Sequence, residues 1–169
     1  MTTRFDLTDK IAIVTGGTGT LGSAMCKTLA DAGATVVILA RTESDAVALA
    51  ESINANDGSA LGLACDVLDK DALEATATKV IDVYGKIDIL VNGAGGNRAE
   101  ATAMPGERTF FDLPQDALRW VFDLNLMGTI LPSQVFGTHM TGAESGVLIN
   151  ISSMASMQPL TRVVAYAAA

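Results

Sequence analysis

The sequence predicts an α/β fold, a doubly wound parallel sheet with helices on both faces. The first observation is a strict alternation of short apolar runs with helical stretches, which is typical of parallel sheets. The second is that the run Ala34–Ala40 is apolar along its length, as in strands that are covered on both faces. Right-handed crossovers then place helices on both sides of the sheet. The strands are predicted at about 11–15, 34–40, 60–65, 87–91 and 146–152, and the helices at about 20–32, 44–54, 69–84 and 115–140, with another that starts near 165.

Length and composition bound the class of protein. With 169 residues, the sequence predicts one domain over residues 1–169. The net charge of −8 argues against nucleic acid or an anionic membrane as a partner. Residues 1–10 are polar and no segment reaches membrane-spanning length, so we expect a cytoplasmic protein. Cys26 and Cys65 lack the spacing of zinc ligands, so we expect buried thiols and no metal site.

A glycine-rich turn joins the first strand to the first helix. Within it Gly17, Gly19 and Gly22 match the spacing G-x-G-x-x-G. In this motif the first glycine, Gly17, allows a tight turn and the second, Gly19, allows a pyrophosphate to approach the backbone. The third, Gly22, allows close packing of the helix on the strand. The N–H groups at the helix start would then bind the phosphates. The alternative is a plain turn between strand and helix. The predicted phosphate-binding residues are Gly16, Gly17, Thr18, Gly19, Thr20, Leu21 and Gly22.

Polar or glycine residues follow every predicted strand. Because ligands of doubly wound folds bind at the carboxyl ends of the strands, these residues mark the expected site. They are Gly16–Gly22, Arg41, Asp66, Asn92–Gly95 and Ser152-Ser153. Residues 96–114 form a polar and irregular stretch that is long for a connection between a strand and a helix, which favours a functional loop.

Six sequence features occur in a specific order and spacing. They are Thr15-Gly16 with the glycines after it, Asp66-Val67, Asn92-Gly93-Ala94-Gly95, Asn125-Leu-Met-Gly128, Ser153, and Tyr166 thirteen residues later. On these features the whole chain resembles the classical short-chain dehydrogenases/reductases, which have a Rossmann fold. Two positions depart from the family pattern, since Thr20 stands where a glycine is usual and Gly93 where a second asparagine is common. Glycines at 16, 19 and 22 also fit the turn of the extended relatives, the epimerases and dehydratases.

The resemblance implies roles for three residues in a hydride transfer. Tyr166 would be the general acid for ketone reduction and the base in the reverse direction. Ser153 would hydrogen-bond the substrate oxygen, and Asn125, in the middle of a helix, would hold a water that relays protons. In the family a lysine four residues after the tyrosine lowers the phenol pKa, and the sequence ends one residue short of that position, at Ala169. We therefore expect the given residues to be part of a longer chain and to be inactive by themselves. This part would lack C-terminal elements of the family fold, which would leave its fifth strand as an apolar edge.

The end of the second strand bears on the choice of cofactor. An NAD site usually has an acidic residue there, whereas this chain has Ala40 followed by Arg41 and Thr42. Arg41 could pair with a 2′-phosphate, which favours NADP, with NAD as the alternative. By resemblance, Asp66 would accept from the adenine amino group. The other predicted cofactor contacts are Val67, Asn92, Gly93, Ala94 and Gly95.

The substrate is expected to be a small, polar and sugar-derived molecule. The segments around Gly96-Asn97, Phe110-Phe111 and Pro159-Leu160 resemble the branch that handles sugar acids, such as gluconate or mannonate/fructuronate oxidoreductases. Either Arg98 or Arg162 could bind a carboxylate, although both are equally suited to a surface position. A non-catalytic redox sensor and an epimerase or dehydratase are the alternative functions. The family pairs the helix predicted at 115–140 across a twofold axis, which implies a homodimer or homotetramer.

Overall fold

A five-stranded parallel sheet forms the centre of the computed structural model, which describes residues 5–158 and 160–169. The strand order is β3-β2-β1-β4-β5. The first three strands extend the sheet to one side, and β4 and β5 are added on the other side of β1, so the topological switch point lies between β1 and β4. The strands are β1 (Ile11–Thr15), β2 (Thr35–Ala40), β3 (Ser59–Ala64), β4 (Ile89–Asn92) and β5 (Val147–Asn150). The helices are α1 (Thr20–Asp31), α2 (Glu43–Asn54), α3 (Lys70–Tyr84), α4 (Gln115–Phe122), α5 (Gly128–Gly142) and α6 (Val164–Ala168). The predicted doubly wound Rossmann fold is confirmed.

The two faces of the sheet bury separate hydrophobic clusters. Ile11 and Ile13 of β1 pack with residues of α3 and α5 on one face. Ala12 and Val14 pack with residues of α1 and α2 on the other. This alternation follows from the two-residue period of a strand, which sends successive side chains to opposite faces. Every residue of β1 is buried, which explains why the central strand is apolar without alternation.

The helix predicted at 115–140 is present and contains a π-helical turn. This turn, Asp123–Met127, lies between α4 and α5 and is a feature that the sequence pattern does not predict. The Asn125 side chain donates to the Val121 carbonyl at 2.8 Å, and the Asn125 carbonyl accepts from the Thr129 hydroxyl at 3.0 Å. These side-chain bonds engage carbonyls that an α-helix uses for its backbone ladder, and such competition distorts helices.

Strand β5 forms one edge of the sheet, and its residues are exposed. Val147, Leu148 and Ile149 keep 53%, 43% and 43% of their surface accessible. The predicted apolar edge strand is therefore present. Among residues 5–158 and 160–169, no helix has both the length and the apolar character needed to cross a membrane.

Candidate active site and cofactor cleft

The glycines after β1 have distinct structural roles. Gly16 has a φ of +63°, and a methyl group there would lie 2.8 Å from the Ala94 Cα. A methyl group at Gly17 would lie 2.7 Å from the Ile38 Cγ2, and one at Gly22 would overlap the Gly16 carbonyl oxygen. The tight turn predicted for Gly17 is therefore made by Gly16, because only Gly16 has the left-handed backbone that favours glycine. Gly17 packs against β2 instead.

Gly19 differs from the other glycines of this turn because a methyl group on its Cα would have a single close neighbour. A methyl group there would have one contact within 4 Å, the Gly16 carbonyl oxygen at 3.3 Å. Gly19 is also the N-cap of α1, and the helical bonding begins with the Ser23 N–H, which donates to the Gly19 carbonyl at 2.8 Å. The N–H groups of residues 20–22 precede that bond and lie at the positive end of the helix dipole. An anionic phosphate fits this arrangement.

A cavity of about 420 Å³ extends from this turn across the ends of the strands. Arg41 lines it at the end of β2 and Val67 lines it after β3; the contact of either residue with a cofactor stays a prediction. Thr42 and Asp66 are exposed residues next to this lining rather than part of it. The Asp66 carboxylate accepts from the Leu68 N–H at 3.0 Å. The full lining is Gly16, Thr18, Gly19, Thr20, Leu21, Gly22, Leu39, Ala40, Arg41, Cys65, Val67, Gly93, Ala94, Gly95 and Leu124.

The two cysteines have different neighbours. Cys65 lines the cavity. The sequence predicts a buried thiol at this position but not its place in the cavity wall. Cys26 lies beneath the glycine turn, where its thiol is 3.8 Å from the Gly17 carbonyl oxygen. Burial raises the pKa of the Cys26 thiol to about 12 and also raises the pKa of Cys65. Both thiols are therefore protonated at neutral pH and weakly nucleophilic.

Thr15 connects the glycine turn to the segment after β4. Its buried hydroxyl oxygen accepts from the N–H groups of Gly93 and Ala94, both at 3.1 Å. Gly93 lies so close that a methyl group on it would be 2.9 Å from the Thr15 carbonyl oxygen. The hydroxyl thereby ties the two strand ends that border the cavity. The sequence motif includes Thr15 but does not predict these two hydrogen bonds. The signal that could have indicated them is a hydroxyl residue at the end of a buried strand.

A second cavity, of about 370 Å³, adjoins the first and shares Leu21 and residues 93–95 with it. Ser153 and Tyr166 both line this cavity, so the structure brings the two predicted catalytic hydroxyl residues to one place. Asn125 lines it as well. The remaining lining residues are Gly96, Ile151, Ser152, Ser156 and Ala169.

The Asn125 side chain clamps the backbone of the segment after β4. Its amide nitrogen donates to the Gly96 carbonyl at 2.7 Å, and its oxygen accepts from the Gly96 N–H at 3.0 Å. A methyl group on Gly95 would lie 2.9 Å from that same oxygen. The amide thus holds the segment that separates the two cavities. The water relay inferred for Asn125 stays a prediction.

Ser153 sits at the start of a 3-10 turn, Met154–Ser156. Its hydroxyl oxygen accepts from the Ala155 N–H at 3.2 Å, which leaves the hydroxyl proton for a ligand in the cavity. The neighbouring hydroxyls are more constrained, because Ser156 donates to the Ser153 carbonyl at 2.7 Å and lies 3.3 Å from the Ser152 hydroxyl. The Ser153 hydroxyl is thus less constrained than its neighbours, and its role in binding the substrate stays a prediction.

Asn92 is placed differently from the other predicted cofactor residues. Its side chain is buried, with its amide nitrogen donating to the Ser133 hydroxyl and to the Asn150 side-chain oxygen, both at 2.8 Å. Asn92 lines neither cavity. It joins β4 to β5 and to α5, so its contribution to the site is to hold the strand ends together.

Comparisons with known proteins agree with this geometry. A family model described as short chain dehydrogenase matches residues 10–169. The chain belongs to the short-chain dehydrogenase family. It is 41% identical to the uncharacterized oxidoreductase UxuB of Bacillus subtilis, over 97% of this chain and 62% of that protein. It is 35% identical to the D-threitol dehydrogenase of Mycolicibacterium smegmatis, over 97% of this chain and 60% of that protein.

A solved structure of the same family superposes closely on this short-chain dehydrogenase. It is a candidate D-mannonate oxidoreductase from Haemophilus influenza with bound NAD, with a TM-score of 0.91 and 36% identity over 96% of this chain. The match covers 61% of that protein. The chain therefore spans about three fifths of the length of the relatives it matches.

Proposed function

We propose that the complete protein is an NAD(P)-dependent oxidoreductase that interconverts a hydroxyl and a ketone on a small sugar-derived substrate. The observation that carries the proposal is the meeting of two cavities along Leu21 and residues 93–95. One cavity has the glycine turn and helix N-terminus that suit a pyrophosphate. The other contains Ser153 and Tyr166. A dinucleotide that spans the border would bring its far end beside both hydroxyls.

The nicotinamide supplies or accepts the hydride when it is bound. In the reducing direction, the ketone carbon gains that hydride and its oxygen gains one proton, which gives an alcohol. The Tyr166 phenol donates this proton, and the Ser153 hydroxyl hydrogen-bonds the same oxygen as negative charge develops on it. In the oxidising direction, the Tyr166 phenolate takes the proton back.

We propose NADP as the preferred cofactor. Arg41 lines the cavity and follows Ala40, so the end of β2 offers a cation and no carboxylate. A guanidinium recognises a phosphate through two parallel hydrogen bonds. Fluorescence titration should show that Arg41→Ala weakens NADPH binding by about tenfold and changes NADH binding little. Tighter binding of NADH than of NADPH by the unaltered protein would reject the preference.

The lining of the second cavity suits a polyol or a ketose. It offers the hydroxyls of three serines and a tyrosine, and within residues 5–158 and 160–169 no lysine or arginine lines it. Arg98, a candidate for binding a carboxylate, lies over the Trp120 ring instead. The names of the relatives, a D-threitol dehydrogenase and a candidate D-mannonate oxidoreductase, also favour a polyhydroxy substrate.

The test is an absorbance assay of the complete protein at the nicotinamide band with polyols, sugar acids and ketoses. We expect turnover with a polyol or ketose, and a loss of about 10²- to 10⁴-fold in Tyr166→Phe with unchanged cofactor affinity. Cofactor binding without turnover on any substrate would instead favour a redox sensor.

We also propose that the protein forms a homodimer or homotetramer through the face of the π-helical turn and the start of α5. Leu126, Met127 and Ile130 expose 44%, 37% and 37% of their surface there, which is typical of an association surface. Light scattering on the complete protein should give at least twice the monomer mass, and a monomer would reject this proposal.

A further inference from the structure

Arg98 links the segment after β4 to helix α4. Its guanidinium carbon lies 4.4 Å from the centroid of the Trp120 ring, over the face of the indole. The Arg98 carbonyl accepts from the Ala101 N–H and from the Thr102 hydroxyl, both at 3.1 Å. One residue thus stacks on α4 through its side chain and closes the first turn of the loop through its backbone. This loop, residues 97–109, is called the β4–α4 loop below.

The β4–α4 loop in turn contacts the segment that carries Tyr166. Ala101 is fully buried in one small cluster with Ala165 of α6 and two residues of α4, and Trp120 and Tyr166 pack against that cluster. The Ala103 N–H donates to the Arg162 carbonyl at 2.9 Å. Arg98, the loop, Tyr166 and the residues that precede it, Arg162 and Ala165, therefore form one contiguous set of contacts.

The start of the segment that carries Tyr166 has little local support of its own. No side chain caps helix α6 at Val163. Arg162 has a φ of +76°, a left-handed conformation that persists in residues other than glycine when the surroundings enforce it. The bond from Ala103 reaches the carbonyl of this strained residue.

We propose that Arg98 is a positioning residue for Tyr166. Its stacking on Trp120 holds the β4–α4 loop on α4, and the loop holds Arg162 and Ala165 so that the phenol faces the second cavity. The ion pair between Arg98 and Glu100 is not the cause, because it spans 3.7 Å between two exposed side chains and such pairs contribute little. The effect on catalysis rests on the proposed function, whereas the effect on the position of the segment does not.

The test uses hydrogen exchange of the complete protein, read by mass spectrometry on peptides that cover residues 97–109 and 160–169. A cation over an indole is worth a factor of about two to five in an equilibrium at a partly exposed site. Arg98→Ala should therefore speed exchange in both peptides by about two- to fivefold. Arg98→Lys should restore part of the protection, because an ammonium keeps the charge but loses the planar stack. Glu100→Gln and Arg119→Ala are the matched controls, and both should leave exchange unchanged.

Steady-state kinetics supply the second readout. Arg98→Ala should lower kcat and leave the affinity for the cofactor unchanged, since the glycine turn is not part of the contacts. Faster exchange confined to residues 97–109, with 160–169 unchanged, would overturn the inference. An effect of Glu100→Gln as large as that of Arg98→Ala would overturn the role of the stack. Absence of turnover in the unaltered protein would count against the proposed function alone, because the exchange measurement does not depend on activity.

Discussion

Replacing Gly22 by alanine sets two effects of one methyl group against each other. Alanine is favoured over glycine inside a helix by about 1 kcal/mol, and Gly22 lies in the first turn of α1. The same methyl group would overlap the Gly16 carbonyl oxygen and lie 2.9 Å from the Gly17 Cα. Overpacking costs about 1–3 kcal/mol, and we expect the upper end because both neighbours are backbone atoms. The net loss should be about 2 kcal/mol, which lowers Tm by about 4–8 °C for a chain of this size.

Gly19→Ala is the matched control on the same turn. Its methyl group would meet the Gly16 carbonyl oxygen alone, at 3.3 Å, so the free energy of unfolding should fall by less than about 1 kcal/mol. The methyl group would stand where the phosphate approaches, so NADPH affinity should fall by about tenfold or more, which corresponds to about 1.4 kcal/mol. Thermal unfolding followed by circular dichroism and fluorescence titration measure the two effects. If Gly22→Ala unfolds within 1 °C or so of the unaltered protein, the close packing of this turn is not what requires glycine.

Two further substitutions probe opposite ends of the sheet. Asn125→Ala removes both bonds to Gly96 and should cost about 1–3 kcal/mol, with faster hydrogen exchange at residues 93–97; unchanged exchange there would contradict the clamp. Burial raises the pKa of Asp88, but hydrogen bonds from the Ile11 N–H and two lysines lower it more, so the net pKa lies below 3.8. A carboxyl group whose pKa is lower in the folded than in the unfolded protein stabilises the fold at pH values above the unfolded pKa. This stabilisation is lost as the pH falls through the folded pKa. Asp88→Asn should therefore be less stable at pH 7, with a difference that shrinks below pH 4 or so; a constant difference in urea unfolding would contradict this.

The positions of the strands and helices follow from local patterns, and most of them could be predicted. A buried parallel strand such as β1 is apolar along its length because helices cover both faces. Helix α3 begins after Asp69, whose side chain accepts from the Ala72 N–H, and ends at Gly85 in a left-handed conformation. These capping preferences are properties of a few adjacent residues. The π-helical turn at Asp123–Met127 does not follow from the apolar pattern, because it depends on which carbonyls the Asn125 side chain and the Thr129 hydroxyl engage.

The candidate site was predictable as a set of residues but not as an arrangement. The carboxyl ends of parallel strands lie at one edge, so Ser153 and the glycine turn could be assigned to one region from the sequence. The orientation of each side chain could not. Asn92 ends a strand like its neighbours, yet it points into the protein toward Ser133 and Asn150. Arg98 could equally have reached a substrate, and it lies on Trp120 instead.

The sequence by itself determined the fold class, the order of the elements and the edge of the sheet that bears the site. Those properties depend on hydrophobic periodicity and on residues close together in the chain. Tertiary structure alone decided which glycine makes the tight turn and which polar groups face the cavities. Gly16 meets Ala94, and the Thr15 hydroxyl binds the N–H of Gly93 across 78 positions of sequence. Such contacts depend on which distant atoms fill the space around a residue, and close packing permits few arrangements of those atoms.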